Sequence, residues 1–230
     1  MRQCWNRQTG TFEGRVSLTY GFKSRLPHQI KDFPFGKSFF ILSFRRCNKM
    51  KFYKVITLKD GRECILRNGV RADGAALLEQ FKLAHEETDF LLTYSYENSF
   101  TEESEAEFLE SREKSENEVE ILAVVDGKIV GSAGIECVCP KQKTKHRAEF
   151  GISVMKAYWG LSIGKALTAA CIECAKSAGY AQLELEVVAE NAAAVALYKK
   201  SGFTEYGRNP KGMRSLTSGW QEMILMLLEL

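Results

Sequence analysis

The sequence predicts a mixed α/β domain over residues 50–230, a central mixed sheet with helices on both faces. Three observations carry that expectation. Asp-Gly pairs at 60–61 and 126–127 each separate two runs of strand-like residues. Apolar residues at helical spacing lie between those hairpins. From Ala148 to Phe203 the pattern runs strand, turn, helix, strand, helix, which is the order of a β-α-β unit. The chain is 45% hydrophobic and 27% charged, so it can bury a core and keep a polar surface. No window approaches twenty consecutive apolar residues, which excludes a membrane-spanning helix.

The elements follow in order. Lys54–Leu58 and Glu63–Leu66 form the first hairpin around Asp60-Gly61. A helix opens after Arg71-Ala72, with Asp73 as its N-cap and Ala76, Leu77, Phe81 and Ala84 on its apolar face. Phe90–Phe100 reads as a loop, and Thr101 begins a second, acidic helix through Phe108 and Leu109. The acidic run from Glu102 to Glu120 reads as a solvated face and not a cation site. Val119–Val125 and Ile129–Val138 make the second hairpin. The basic loop Lys141–Arg147, around His146, reads as a solubilising turn or a phosphate contact. Then come a strand at Ala148–Val154, a helix from about Gly164 to Ser177 stopped by Gly179, a strand at Leu183–Val187, a helix at Asn191–Ser201, and closing strands at Phe203–Tyr206 and Trp220–Leu227.

Charge divides the chain unevenly. Residues 1–49 hold ten Lys and Arg against Glu13 and Asp32, whereas residues 50–230 hold 22 basic and 27 acidic side chains. Any polyanion binding is therefore confined to the leader. That leader lacks sustained periodicity. Gly21-Phe22-Lys23-Ser24 back-translates to the T-arm of a transfer RNA gene, and Arg45-Arg46 to a bacterial ribosome-binding sequence just before Met50. The expectation is that 1–49 is upstream sequence without a fold and that translation starts at Met50; the alternative is a basic arm that binds RNA. No secretory pattern is present, so the seven cysteines are expected to be reduced thiols in a cytoplasmic, bacterial protein. Cys171 and Cys174 fall inside a helical pattern, where cysteine is an ordinary core residue, and no metal is expected.

Two segments carry chemistry. Val154-Met155-Lys156-Ala157-Tyr158-Trp159-Gly160-Leu161-Ser162-Ile163-Gly164-Lys165 takes a strand through a small-residue turn into a helix. Free backbone N–H groups and the helix dipole make such a turn suited to a diphosphate, although a tight connection built for packing would look the same. It is not a Walker loop, since no Gly-Lys-Ser/Thr ends it. Asn191-Ala192-Ala193-Ala194-Val195-Ala196-Leu197-Tyr198-Lys199-Lys200-Ser201-Gly202-Phe203 is the second segment.

Together the two segments resemble the GNAT superfamily of acetyl-CoA-dependent N-acetyltransferases, whose motifs run Gln/Arg-x-x-Gly-x-Gly/Ala and Asn-x-x-Ala-x-x-Leu-Tyr-x-Lys-x-Gly-Phe. The likeness covers most of residues 50–230 in element order and is strongest over 148–203. Trp159 stands where the family usually has Gln or Arg, and Ser162 where it has Gly. The Ser162 Cβ could crowd a diphosphate, or its hydroxyl could add a donor. The resemblance implies a sheet splayed between two parallel strands, here Phe150–Val154 and Leu183–Val187, with a pantetheine arm between them. It implies that backbone groups near Ile152 and Val154 hold the arm and the thioester carbonyl. The amides from Trp159 and Gly160 through Leu161, Ser162, Ile163 and Gly164 to Lys165 would cradle the diphosphate. Asn191 would bond the cofactor or fix the second helix.

The reacting groups follow from the chemistry. Tyr198, placed at the helix start, is the candidate acid for the departing thiolate, or else a buried core tyrosine. Glu149 is the candidate base for the amine, or else a strand-face carboxylate paired with Arg147 or Lys145. Glu184 and Glu186 read as the polar face of a strand, and His146 as a weaker base. Tyr94, Tyr96 and the segment 209–219 are expected on the acceptor side. The expected activity is acetyl transfer from acetyl-CoA to a primary amine of a small molecule or protein N-terminus, without nucleic acid or membrane, and with a homodimer left open. The alternative is an acyl-CoA-binding sensor without catalysis.

Overall fold

The computed structural model describes residues 50–230. The expectation for 1–49 lies outside those residues. Eight strands form one sheet in the order β1-β2-β3-β4-β5-β6-β8-β7. They are β1 (Tyr53–Thr57), β2 (Glu63–Asn68), β3 (Val119–Val125), β4 (Lys128–Cys137), β5 (Arg147–Val154), β6 (Gln182–Val188), β7 (Thr204–Ser215) and β8 (Gly219–Glu229). Every neighbour pair is antiparallel except β5 and β6. Four α-helices complete the domain: α1 (Gly74–Glu87), α2 (Glu102–Lys114), α3 (Ile163–Ser177) and α4 (Ala192–Lys200). The mixed α/β expectation holds, with most element bounds displaced by a residue or two; β7 is the exception, running to Ser215 where Tyr206 was the expected end, because it stays paired to β8 across a bulge as far as Ser215–Gly219.

Alternation along the strands sorts the core onto two faces. On one face, Ile121, Ala123, Ala148, Phe150, Leu183 and Leu185 pack with Leu167, Cys171 and Cys174 of α3 and with Tyr198 of α4. On the other, Leu122, Val124 and Ile129 pack with Leu77 of α1 and Leu109 of α2. Helices therefore cover both faces. Cys171 and Cys174 are core residues, as their spacing indicated.

Three local expectations need correction. Ala76 is exposed, and the buried stripe of α1 is Leu77, Leu78, Gln80, Phe81 and Ala84. Asp73 makes no side-chain cap. Its carboxylate instead binds the Arg67 guanidinium at 2.6 and 2.8 Å and accepts the Val70 N–H at 2.9 Å, fixing the 3-10 turn that precedes α1. The acidic run is not wholly solvated, since Glu105 and Glu120 are 2% and 3% exposed. Thr101 does cap α2, accepting from Ser104 N–H at 3.1 Å.

Candidate active site

The parallel pair β5 and β6 is in register at three positions only, Arg147–Gln182, Ala148–Leu183 and Glu149–Glu184. Beyond Glu149 the strands part. β5 stays paired to β4 as far as Val154, and β6 stays paired to β8 as far as Val188. The residues whose backbones face the opening follow from hydrogen-bond alternation. The β4–β5 ladder is bracketed by Val138 N–H to Arg147 O at 3.1 Å and Met155 N–H to Val130 O at 2.9 Å, so odd-numbered residues of β5 bond to β4. The even-numbered Ile152 and Val154 consequently turn their peptide groups toward the opening. On β6 the bracketing bonds are Leu230 N–H to Ala181 O and Ala189 N–H to Glu222 O, so Glu186 and Val188 face it from the opposite wall.

The floor of the opening is the turn from β5 to α3. A 3-10 turn at Lys156–Tyr158 leads to Trp159, whose indole Nε1–H donates to the Val154 carbonyl at 2.7 Å. This side chain, 46% exposed, removes one acceptor from the wall and leaves the Val154 N–H. Gly160 has φ +77°, and a Cβ built there would meet nothing within 4 Å, so the space over the turn is open. Ser162 is the unexpected residue. It has φ +78° and ψ 6°, a left-handed conformation, and its hydroxyl makes no cap for α3. The left-handed backbone explains why glycine suits this position. Ile163, Gly164 and Lys165 form the first turn of α3, where N–H groups have no partner within the helix and the dipole is positive. The Ile163 side chain is buried, so only its backbone is available. A Cβ on Gly164 would sit 3.4 Å from Leu197, which shows how closely α4 seats against the start of α3.

The Asn191 Oδ1 accepts the Ala194 N–H at 3.2 Å and caps α4, which is the helix-fixing one of its two expected roles. That cap sets the helix start at Ala192. Tyr198 is accordingly late in α4 and not at its start, contrary to the sequence-based placement. It is 7% exposed, edge-on to Phe150 at 6.1 Å and to Phe203 at 5.8 Å. Phe150 is the first β5 residue past the last β5–β6 pair, so Tyr198 sits at the fork. Burial pushes its phenol pKa upward and keeps it protonated at neutral pH.

Glu149 is on the other face of the fork, the face of α1 and α2. The suggested pairing with Arg147 is absent: Arg147 forks onto Glu184 at 2.5 and 2.7 Å. Glu136, across from Glu149 on β4, is taken by Arg112 at 2.6 Å. Glu149 itself has no ion pair among the described residues. Burial, then the charges of Glu186, Glu136 and Glu184, raise its pKa from 4.5 to about 7 against the opposing pull of Arg147. Glu186 was passed over as strand polarity. It is exposed, lies on the same face just past the fork, and is the carboxylate with the largest charge effect on Glu149. An apolar-polar alternation is identical for a solvated strand and for a strand edging a cleft, so the sequence carried no signal for it.

Tyr94 does reach the β7–β8 hairpin, its hydroxyl accepting the Leu216 N–H at 2.7 Å, and it stacks on Tyr96 at 5.4 Å. Glu87, at the end of α1, accepts the Lys156 N–H at 2.6 Å and ties that helix to the turn. Among the described residues no cluster of three metal-ligating side chains occurs, and no helix is long and apolar enough to cross a membrane.

A model of the family described as "Acetyltransferase (GNAT) family" matches residues 84–203, just over half of the chain. The L-amino acid N-acetyltransferase AaaT of Escherichia coli (strain K12) is 33% identical over 93 residues, which are 40% of this chain and 57% of that protein. The chain thus spans little more than half the length of that relative. A solved acetyltransferase of the GNAT family from Streptococcus pneumoniae matches with a TM-score of 0.70 and 28% identity, covering 73% of this chain and 99% of the other. A ribosomal-protein-alanine N-acetyltransferase from Brucella melitensis matches at TM-score 0.64 and 27% identity, covering 72% and 99%.

Proposed function

The chain belongs to the acetyltransferase (GNAT) family, and from that premise we propose that it transfers acetyl from acetyl-CoA to a primary amine of a small molecule or a protein N-terminus, by direct attack and without a metal. The working domain is residues 50–230. The observation that carries the proposal is the fork: two parallel strands that pair at three positions and then part, beside a turn that opens α3 with no side-chain cap.

The residues fit the co-substrate. Its thioester supplies the activated acetyl group. Gly160, Leu161, Ser162, Ile163, Gly164 and Lys165 bind the diphosphate through main-chain N–H groups, with Trp159 shaping the turn. Ile152 and Val154 offer peptide groups to the pantetheine, and an N–H aimed at the thioester oxygen stabilises its developing charge by about 3 kcal/mol. Glu149 takes the proton that an alkylammonium must lose before it can attack; with a pKa of about 7 it is a base matched to neutral pH. Glu186 contributes by holding Glu149 at that value. Tyr198, protonated and on the opposite face of the fork, gives its proton to the departing sulfur. The acid and base thus flank the opening from its two sides.

Two of the three relatives are by name an L-amino acid N-acetyltransferase and a ribosomal-protein-alanine N-acetyltransferase, which supports an amine acceptor here. Their bacterial sources support a bacterial enzyme, and we propose that it works in the cytoplasm, alone or as a homodimer. The acidic balance of residues 50–230 supports no nucleic-acid partner. The test is thiol release from acetyl-CoA by the 230-residue chain across an amine panel. Amine-dependent release is expected; tight coenzyme A binding with no release by any amine would refute catalysis.

A further inference from the structure

Asp89, two residues beyond α1, gathers the tip of the β7–β8 hairpin. Its Oδ2 accepts from the hydroxyls of Ser215 at 2.6 Å, Ser218 at 2.7 Å and Thr217 at 3.0 Å, and from Gln221 Nε2 at 3.3 Å. The Ser215 and Ser218 hydroxyls hold its pKa below the usual carboxylate value, so it carries its charge. Asp89 Oδ1 has no partner among the described residues. Gln221 is 4% exposed, and its Oε1 is buried without any hydrogen-bond partner. Turning the amide over would press that oxygen against the carboxylate, so the orientation is fixed by its neighbour. A buried acceptor left empty costs about 1–3 kcal/mol. Here it stands beside a charged carboxylate that also has an oxygen to spare.

Register places Gln221 on the catalytic face. Glu186 pairs with Leu225 on β8, and Gln221 is four residues further along the same face, about 13 Å away at ~3.3 Å per residue. The face between carries Val188 and Met223, and the carboxylates Glu149, Glu184 and Glu186 gather at its far end, at the fork, where Arg147 is already paired with Glu184. Tyr96, 72% exposed and stacked on Tyr94, adds an aromatic surface beside the hairpin tip.

We infer that Asp89 and Gln221 form an acceptor subsite for a second, positively charged nitrogen, so that the preferred acceptor is an amine carrying another cationic group on a spacer of roughly 10 Å or more. The inference rests on the acetyl-transfer reading. A cationic group pairs with the Asp89 carboxylate and, by displacing the cover of the hairpin tip, donates to the buried Gln221 Oε1; with Asp89 at one end and the fork carboxylates at the other, a dication is favoured over a monocation. Such an acceptor is either a linear diamine or a peptide with a basic residue near its N-terminus.

The experiment compares kcat/KM for a homologous series of α,ω-diaminoalkanes with monoamines of equal length, and for an N-terminal alanine peptide containing lysine with its norleucine twin. We expect the dicationic member to be favoured about ten-fold once the spacer is long enough, in the diamine arm, the peptide arm or both. The responding arm identifies the source. In Gln221→Met and Asp89→Asn the ratio of dication to monocation falls to about one. No preference in either arm, or a preference that survives in Gln221→Met, overturns the subsite. Should Asp89→Asn fail to fold, Gln221→Met decides alone. If no amine releases thiol, the transferase reading has failed by itself, and calorimetric binding of the long diamine, present in the wild type and lost in Gln221→Met, still decides the subsite.

Discussion

Replacing Glu149 with Gln separates the chemistry of this carboxylate from its effect on stability. Its pKa is 4.5 when free and about 7 in the fold, because burial and the facing Glu186, Glu136 and Glu184 outweigh Arg147. The folded state thus holds a proton that the unfolded chain has already lost. A raised carboxylate pKa makes no difference to stability below the unfolded value, erodes stability as pH rises from about 4.5 to about 7, and costs a constant amount above that. The difference corresponds to about 3 kcal/mol, an upper figure because the fork is partly wetted. Glu149→Gln keeps the shape and removes the charge. Its unfolding free energy from urea titration is expected to match the wild type near pH 4.5 and to exceed it at pH 8 by up to about 3 kcal/mol. Activity moves the other way. The wild-type rate climbs with pH through a limb near 7, and the variant loses that limb together with about 10²- to 10⁴-fold in kcat. Paired urea titrations and pH–rate profiles measure both. Stability curves that stay parallel across pH would refute the raised pKa, and an intact limb would remove Glu149 as the base.

Tyr198→Phe preserves the ring packing against Phe150 and Phe203 and deletes the proton donor; kcat should fall about 10²- to 10⁴-fold with little change in melting temperature, read by thiol release and calorimetry. Ser162→Gly relieves a left-handed backbone without losing any cap, and should stabilise by up to about 1 kcal/mol, whereas Ser162→Ala should not. Asn191→Ala removes the cap on Ala194 and should cost about 1 kcal/mol, visible as faster amide exchange in the first turn of α4.

Features written in contiguous residues were legible. The Asp-Gly hairpins, the helix start at Thr101 and the turn into α3 each depend on a few neighbouring side chains. The fork was foreseen through the resemblance of two segments to a known family, not from periodicity, since a strand that loses a partner halfway keeps the same alternation. Tyr198 was misplaced because its position in α4 is counted from the cap, and the cap can be assigned only once Asn191 is seen to bond Ala194. The Asp89 cluster was invisible because it joins residues 126 to 132 positions apart in the chain. Its donors are serines and a threonine, which any surface turn would contain. The charge on Glu149 depends on its burial and on carboxylates from the two flanking strands, β4 and β6, so it exists only in register.

The alternation that turns Ile152 and Val154 on one wall and Glu186 and Val188 on the other toward the gap has a consequence for how this protein tolerates mutation. On the proposed reading, what meets the co-substrate there is the repeating amide of the polypeptide, which a point substitution leaves in place as long as the ladders to β4 and β8 hold. Side chains beside the gap can drift while the grip persists, and a chain only 28% identical can keep the same frame. On that reading, co-substrate binding constrains mainly the pairing of the outer strands, and the face that carries Glu149 is free to change with the acceptor.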